Sequence, residues 1–156
     1  GGTTAVAALL IDADDGPAWL LTNLGDSRIY RLTDGELSRV STDHSVVQEL
    51  VDAGRISEEQ AMSHPERHIV TRALGGPDPL DPDFFTFPVA DAERILLCSD
   101  GVTDLLRDVE LAELLRDSPD PRDAADRVVG AALDAGGIDN ATAVVVDVMG
   151  LAVEGM

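Results

Sequence analysis

Apolar residues fall in short unbroken blocks over the first third of the chain. Thr4 to Ile11 (TAVAALLI) is one such block, short enough to predict a buried strand. Asp14-Asp15-Gly16-Pro17 marks a turn, and Ala18 to Asn23 is the next apolar block. Ser27 to Leu32 and Glu36 to Ser41 flank Asp34-Gly35, a pair that favours a tight hairpin because both residues tolerate positive φ. The pattern through Ser41 predicts an antiparallel meander. The period then changes. Val46, Val47, Leu50 and Val51 share a helical face between Ser45 and Ala53, with Gly54 placed as a C-cap. Ser57 and Gln60 have the spacing of a capping box, so a second short helix opens there and Pro65 ends it. Gly75 through Pro82 reads as an irregular loop. Asp83 to Val89 and Arg94 to Cys98 (RILLC) predict two more strands, the second buried. Val102 to Leu115 predicts two short helices meeting near Asp108. Asp120-Pro121 opens a longer helix with proline in its first turn, and Gly136-Gly137 ends it. Its buried stripe would be Ala124, Ala125, Val128, Val129, Ala132 and Leu133. Thr142 to Val148 is the last strand. Strands first, then helices inserted between later strands, predict an α+β class with helices covering antiparallel sheets.

Composition narrows what such a domain can meet. A length of 156 residues suits one domain. Hydrophobic residues make up 44%, too many for a disordered chain, although 11 basic and 30 acidic residues leave a net charge of −19. Every basic residue is arginine. So acidic a chain repels phosphate backbones and anionic lipid, which excludes nucleic acid as its main partner. No apolar run is long enough to span a bilayer, so no membrane contact is expected from this segment. No secretory signal pattern is read at the start, and a cytoplasmic location is expected. Cys98 is the single cysteine, which excludes a disulfide framework and any multi-cysteine zinc site.

Carboxylates are then the only abundant reactive groups. Asp26, Asp100 and Asp139 each sit where a predicted strand meets a tight Gly or Asn turn. Asp104 follows Asp100 by one helical turn, which puts both on one side. Carboxylates gathered at sheet ends suit a hard cation such as Mg²⁺ or Mn²⁺; taken singly, each is as readily a turn former. Asp12-Ala13-Asp14-Asp15-Gly16 fails as a calcium loop, because Asn23 stands where a bidentate Glu is needed. It also fails as a haloacid-dehalogenase-type nucleophile, which would want Thr or Val at Gly16 and a lysine this chain lacks. Arg28 and Arg72 could grip an anion through the guanidinium fork, although an internal ion pair is the plainer role for Arg28. His44 is expected to anchor a loop by hydrogen bonding. Cys98 is expected to be a small buried hydrophobe. Trp19, Phe84, Phe85 and Phe87 are expected in the core or on a sheet face.

Five motifs stand in order along the chain. They are Asn23-Leu24-Gly25-Asp26-Ser27-Arg28, Thr42-Asp43-His44-Ser45, Arg72-Ala73-Leu74-Gly75, Leu97-Cys98-Ser99-Asp100-Gly101-Val102-Thr103-Asp104 and Asp139-Asn140-Ala141-Thr142. Together they resemble the metal-dependent Ser/Thr protein phosphatases of the type 2C (PPM) family in its bacterial form, from Gly2 to about Val148. The resemblance implies a four-layer α-β-β-α sandwich of antiparallel sheets. It implies hydrolysis of phosphoserine and phosphothreonine by a metal-activated water, at two ions about 3.5–4 Å apart, with no protein nucleophile. Consistent with this, Cys98 lacks the arginine that a cysteine phosphatase carries six residues later; that position is Asp104. By resemblance, Asp100 is the central metal ligand, shared between the dinuclear centre and a weaker third site, and Asp139 is the second ligand of the dinuclear centre. Asp26 and Asp104 resemble the carboxylates around a weaker third site. The cofactor would be Mn²⁺ or Mg²⁺, and the partner a phosphorylated protein, the product of a Ser/Thr kinase. The stretch about 45–68 resembles the family's flap beside the active site; no substrate-binding residue is assigned.

One departure is large. The family carries, ahead of these motifs, an Asp-Gly-x-Gly-Gly segment whose Asp bridges both metals, and a phosphate-holding arginine. This sequence contains neither. Residues 1–149 are therefore expected to form the later two-thirds of the domain, N-terminally truncated, with 150–156 as a short C-terminal tail. Little turnover is expected from these residues alone. The alternative is a catalytically incomplete fragment or pseudophosphatase that acts as a binding or regulatory module. A smaller departure is His68, where Asn is more usual after Pro65-x-Arg67; it reads as tolerated.

Overall fold

The computed structural model describes residues 1–149, and the expected tail at 150–156 lies outside the described residues. Its strands fall into two antiparallel sheets. β1 (Ala5–Ala13), β2 (Gly16–Leu24) and β5 (Asp83–Pro88) form a three-stranded sheet in the order β1-β2-β5. β3 (Arg28–Thr33), β4 (Glu36–Arg39), β6 (Arg94–Cys98) and β7 (Ala143–Asp147) form a four-stranded sheet in the order β4-β3-β6-β7. The expected meander is therefore divided: β1 and β2 pair, β3 and β4 pair, but β2 and β3 enter different sheets. Gly25, at φ 113°, turns the chain between them, and Thr4 packs so closely there that any Cβ would collide. The Asp34-Gly35 hairpin forms as expected, with φ of 51° and 77°.

The helices are α1 (Val46–Asp52), α2 (Glu58–Met62), α3 (Asp100–Thr103), α4 (Asp108–Asp117) and α5 (Pro121–Asp134). Ser57 and Gln60 make the expected capping box on α2, and the Asp120 carboxylate accepts the N–H groups of Arg122 and Asp123 ahead of Pro121. Ala124, Val128 and Ala132 form the buried stripe of α5, while Leu133 is exposed. Alternation along β6 explains why RILLC is buried throughout. Ile95 and Leu97 face the other sheet, packing with Trp19, Leu21, Ile29 and Val89. Leu96 and Cys98 face the opposite way, joining Tyr30 and Leu32 beneath Leu111, Leu115 and Val128. Each such side chain, fully buried, contributes roughly 1.5–3 kcal/mol. The described residues thus stack as helices, sheet and sheet, within an α+β fold. On the far face of the three-stranded sheet, Leu9 and Phe84 stay 59% and 64% exposed. Thr4 to Ile11, expected as a buried strand, is in fact an edge strand, β1, with Leu10 also more than half exposed.

Candidate metal centre

Strand register brings the separated motifs together. Arg28 on β3 pairs with Cys98 on β6, so Asp26 and Asp100, each two residues beyond that pair, leave the sheet at the same edge. Cys98 also pairs with Ala143 on β7, which places the Asp139-Asn140 turn beyond that edge too. Asp100 opens α3 and Asp104 closes it: the Asp104 N–H donates to the Asp100 carbonyl at 2.8 Å. One turn of helix therefore brings both carboxylates to one side, as the spacing predicted.

Asp26, Asp100 and Asp104 line a cavity of about 350 Å³, whose wall is formed by Val47, Val51, Ala61 and Met62 of the helical excursion between β4 and β5. Burial, and then the negative charges of Asp100, Asp43 and Asp104, push the Asp26 carboxyl from 3.8 up to about 6. Burial and Asp100 likewise raise Asp104, and His68, Arg28 and Arg67 partly offset this. No arginine pairs with any of these three carboxylates among the described residues. Converging oxygen donors with no direct arginine partner suit a hard divalent cation, although Arg28, Arg39, Arg67 and Arg107 line the same cavity, so the residues present fit the cofactor that the motifs imply.

Asp139 stands apart. It is exposed, it does not line that cavity, and its Oδ1 accepts the Asn140 N–H at 2.7 Å. Its turn is nonetheless held against α3. The Ser99 N–H donates to the Thr142 carbonyl, and the Thr142 N–H donates to Ser99 Oγ, both at 3.0 Å. Gly101 lies so close to the Asn140 carbonyl that any side chain there would strike it.

The surrounding polar residues brace the site. Arg28 donates to both oxygens of Asp43 at 2.8–3.1 Å and to the Tyr30 hydroxyl at 3.2 Å, and that hydroxyl donates to Asp108 at 2.9 Å. Arg28 is thus in the internal ion pair expected of it. Arg72 is held by the Asp81 carbonyl at 3.0 Å and faces Asp83 at 3.4 Å. His44 is the expected loop anchor: its Nδ1 accepts the Gly25 N–H at 3.0 Å, which leaves Nε2 to donate to Asp83 at 2.8 Å. Cys98 is buried, which pushes its thiol up to about 12 and keeps it from acting as a nucleophile at neutral pH. His68 lies outside the five motifs. Its Nδ1 lies 3.6 Å from Asp104 Oδ2, and one donor atom each from His68, Asp100 and Asp104 falls within 4.8 Å of the others. The one signal in the sequence was its departure from the usual Asn.

This arrangement of sheets is shared with bacterial serine/threonine phosphatases. The serine/threonine phosphatase Stp1 of Staphylococcus aureus superposes with a TM-score of 0.87 at 34% identity, over 96% of this chain and 57% of that one. The catalytic domain of the serine/threonine phosphatase PstP, solved in complex with 2 manganese ions, superposes with a TM-score of 0.80 at 39% identity, over 94% of this chain and 58% of that one. The serine/threonine phosphatase stp of Listeria monocytogenes is 38% identical over 146 residues, 94% of this chain and 56% of its own length. The profile of the protein phosphatase 2C family matches residues 1–141, and the chain belongs to that family. It spans about half the length of relatives such as the Listeria protein. The family expected from the five motifs is the one found.

Proposed function

We propose that this chain carries metal-binding and substrate-facing parts of a protein phosphatase that hydrolyses phosphoserine and phosphothreonine with Mn²⁺ or Mg²⁺. The observation that supports this most is the meeting of Asp26, Asp100 and Asp104 in one cavity beside α1 and α2. Asp100 and Asp139 would hold the dinuclear pair, and Asp26 and Asp104 the weaker third ion. Such ions supply a Lewis acid and an activated water for in-line attack on phosphorus. The protein's own part is positional. α3 aims Asp100 and Asp104, Gly101 admits the Asp139 turn, and the Arg28–Asp43 pair holds the base of the excursion against the sheet edge. The carboxylates alone would repel a phosphate dianion, so substrate approaches only when cations are held there. The excursion at 45–68 would act as the flap, offering Val47, Val51 and Met62 to the substrate protein. That substrate would be the product of a Ser/Thr kinase, met in the cytoplasm. No helix among the described residues is long and apolar enough to cross a membrane.

The test is hydrolysis of an aryl phosphate and a phosphothreonine peptide, with and without Mn²⁺. A form that includes an Asp-Gly-x-Gly-Gly segment should turn over in a Mn²⁺-dependent way, and these residues alone should turn over weakly. Metal-independent turnover, or wild-type rates in Asp100→Asn, would refute the reading. Phosphopeptide binding without turnover in either form would favour the binding-module alternative.

A further inference from the structure

We propose that His68 is a cation ligand, joining Asp100 and Asp104, and that it gives their site a preference for transition-metal ions over Mg²⁺. The inference rests on the reading of this cavity as a metal site, and goes beyond it by adding a nitrogen donor. Geometry is the first support. Two donors on one cation at bond lengths of ~2.1–2.2 Å lie roughly 3.0 to 4.4 Å apart, from right-angled to opposite placement. The separation of 3.6 Å between His68 Nδ1 and Asp104 Oδ2 is too long for a hydrogen bond and falls inside that range. With Asp100 included, the three donor atoms lie within 4.8 Å of one another, a span slightly wider than that range.

The three histidines of the chain give the second support, because their ring nitrogens are used differently. Both nitrogens of His44 are occupied by Gly25 and Asp83. His64 Nδ1 accepts the Glu66 N–H at 3.1 Å. The ring of His68 makes no hydrogen bond among the described residues, and it is 57% exposed, open to an ion arriving from solvent. Its backbone is nevertheless fixed. The Ile69 N–H donates to the Glu66 carbonyl at 3.1 Å, and the Val46 N–H donates to the Ile69 carbonyl at 3.0 Å. The Ser45–Val70 bridge closes the excursion directly after it. A ring on a fixed stem, facing two carboxylates that make no arginine salt bridge among the described residues, offers the donors a cation needs.

The chemistry follows from the donor. Carboxylate oxygens serve Mg²⁺ and Mn²⁺ alike, whereas an imidazole nitrogen favours first-row transition ions and is a poor donor to Mg²⁺. A cation held by His68 would also tie the end of the excursion to α3.

The experiment loads the full chain with Mn²⁺ and records pulsed EPR for ¹⁴N coupling to the metal, alongside titrations with Mn²⁺, Zn²⁺ and Mg²⁺. Wild type should show imidazole coupling, and His68→Asn should abolish it. That substitution should also weaken Mn²⁺ and Zn²⁺ binding at one site about ten-fold or more, since even lost partners of metal ligands cost ~10–100-fold. Mg²⁺ binding should change by less than about two-fold. Bound Mn²⁺ that shows no nitrogen coupling, yet disappears in Asp100→Asn, would overturn the role of His68 and leave the metal reading intact. Coupling that survives in His68→Asn would assign the nitrogen elsewhere and overturn it too. No Mn²⁺ binding to wild type at millimolar concentrations would remove both readings together.

Discussion

Strand β6 carries charge at both ends, and the two ends are built on opposite terms. At its start Arg94, 7% exposed, donates to the carbonyls of Leu115 and Ser118 at 2.6 Å and to both oxygens of Asp147 at 2.7 and 2.9 Å. The pair is closed, and the guanidinium also secures the last turn of α4, whose carbonyls have no helical partner. At the far end Asp100 meets Asp26 and Asp104 with no arginine salt bridge among the described residues, and burial first, then these like charges, drive Asp26 up to about 6. One end holds the fold together. The other gathers like charge, which a bound cation would offset.

Breaking the closed end should have the largest effect. Arg94→Met leaves Asp147 and three carbonyls without their partner, and should cost about 3–5 kcal/mol in denaturant unfolding. A loss below about 1 kcal/mol would mean that this pair is no anchor. At the open end Asp100→Asn should leave the fold in place and lower Mn²⁺ affinity by roughly 100-fold, read by calorimetric titration. Near-wild-type affinity would place the cation site elsewhere. Gly101→Ala sharpens the contrast, because the new methyl strikes the Asn140 carbonyl and must push the Asp139 turn away from α3. We expect a stability loss of about 1–3 kcal/mol together with weaker Mn²⁺ binding; unchanged binding would show that Asp139 is not needed.

Asp26→Asn should have the smallest effect, and of opposite sign. In the metal-free folded chain Asp26 keeps its proton up to about 6, whereas the unfolded chain releases it near 3.8. The folded state binds more protons in that window, so relative to Asp26→Asn the wild type should lose stability as pH rises from about 4 to about 6 and then level off. Above pH 7 the metal-free variant should be the more stable by on the order of 1 kcal/mol, allowing for solvent screening. Mn²⁺ should narrow that advantage by stabilising the wild type more than the variant. A flat difference across pH, in thermal melts without metal, would mean that the carboxylates do not repel one another as their placement implies.

The contrast between the ends of β6 was only half legible in the sequence. An unbroken apolar run between turn residues announces a strand buried on both faces, and RILLC is one. Capping chemistry is equally local, so the Ser57 box and the Asp120-Pro121 start formed where expected. Asp100 and Asp104 were paired correctly because their spacing is helical. Arg94, by contrast, shows no local sign of its role; nothing near it in the chain names Asp147 or the end of α4. Thr4 to Ile11 reads as apolar as a central strand does, and among the described residues β1 has a partner on one side only. The division of the expected meander between two sheets likewise depends on one glycine turn and on the Thr4 side chain packed against it.

Local chemistry therefore determined the elements, the turns, and through five ordered motifs the family. Periodicity, capping and φ preference act over a few residues, and the sequence states them directly. Register between strands distant in the chain decided the rest. It set Asp26 beside Asp100, kept Asp139 outside their cavity, enclosed Arg94, and brought His68 to Asp104 from the far end of the helical excursion. Those distances are set by backbone pairing and core packing across the whole domain, and no local pattern carries them.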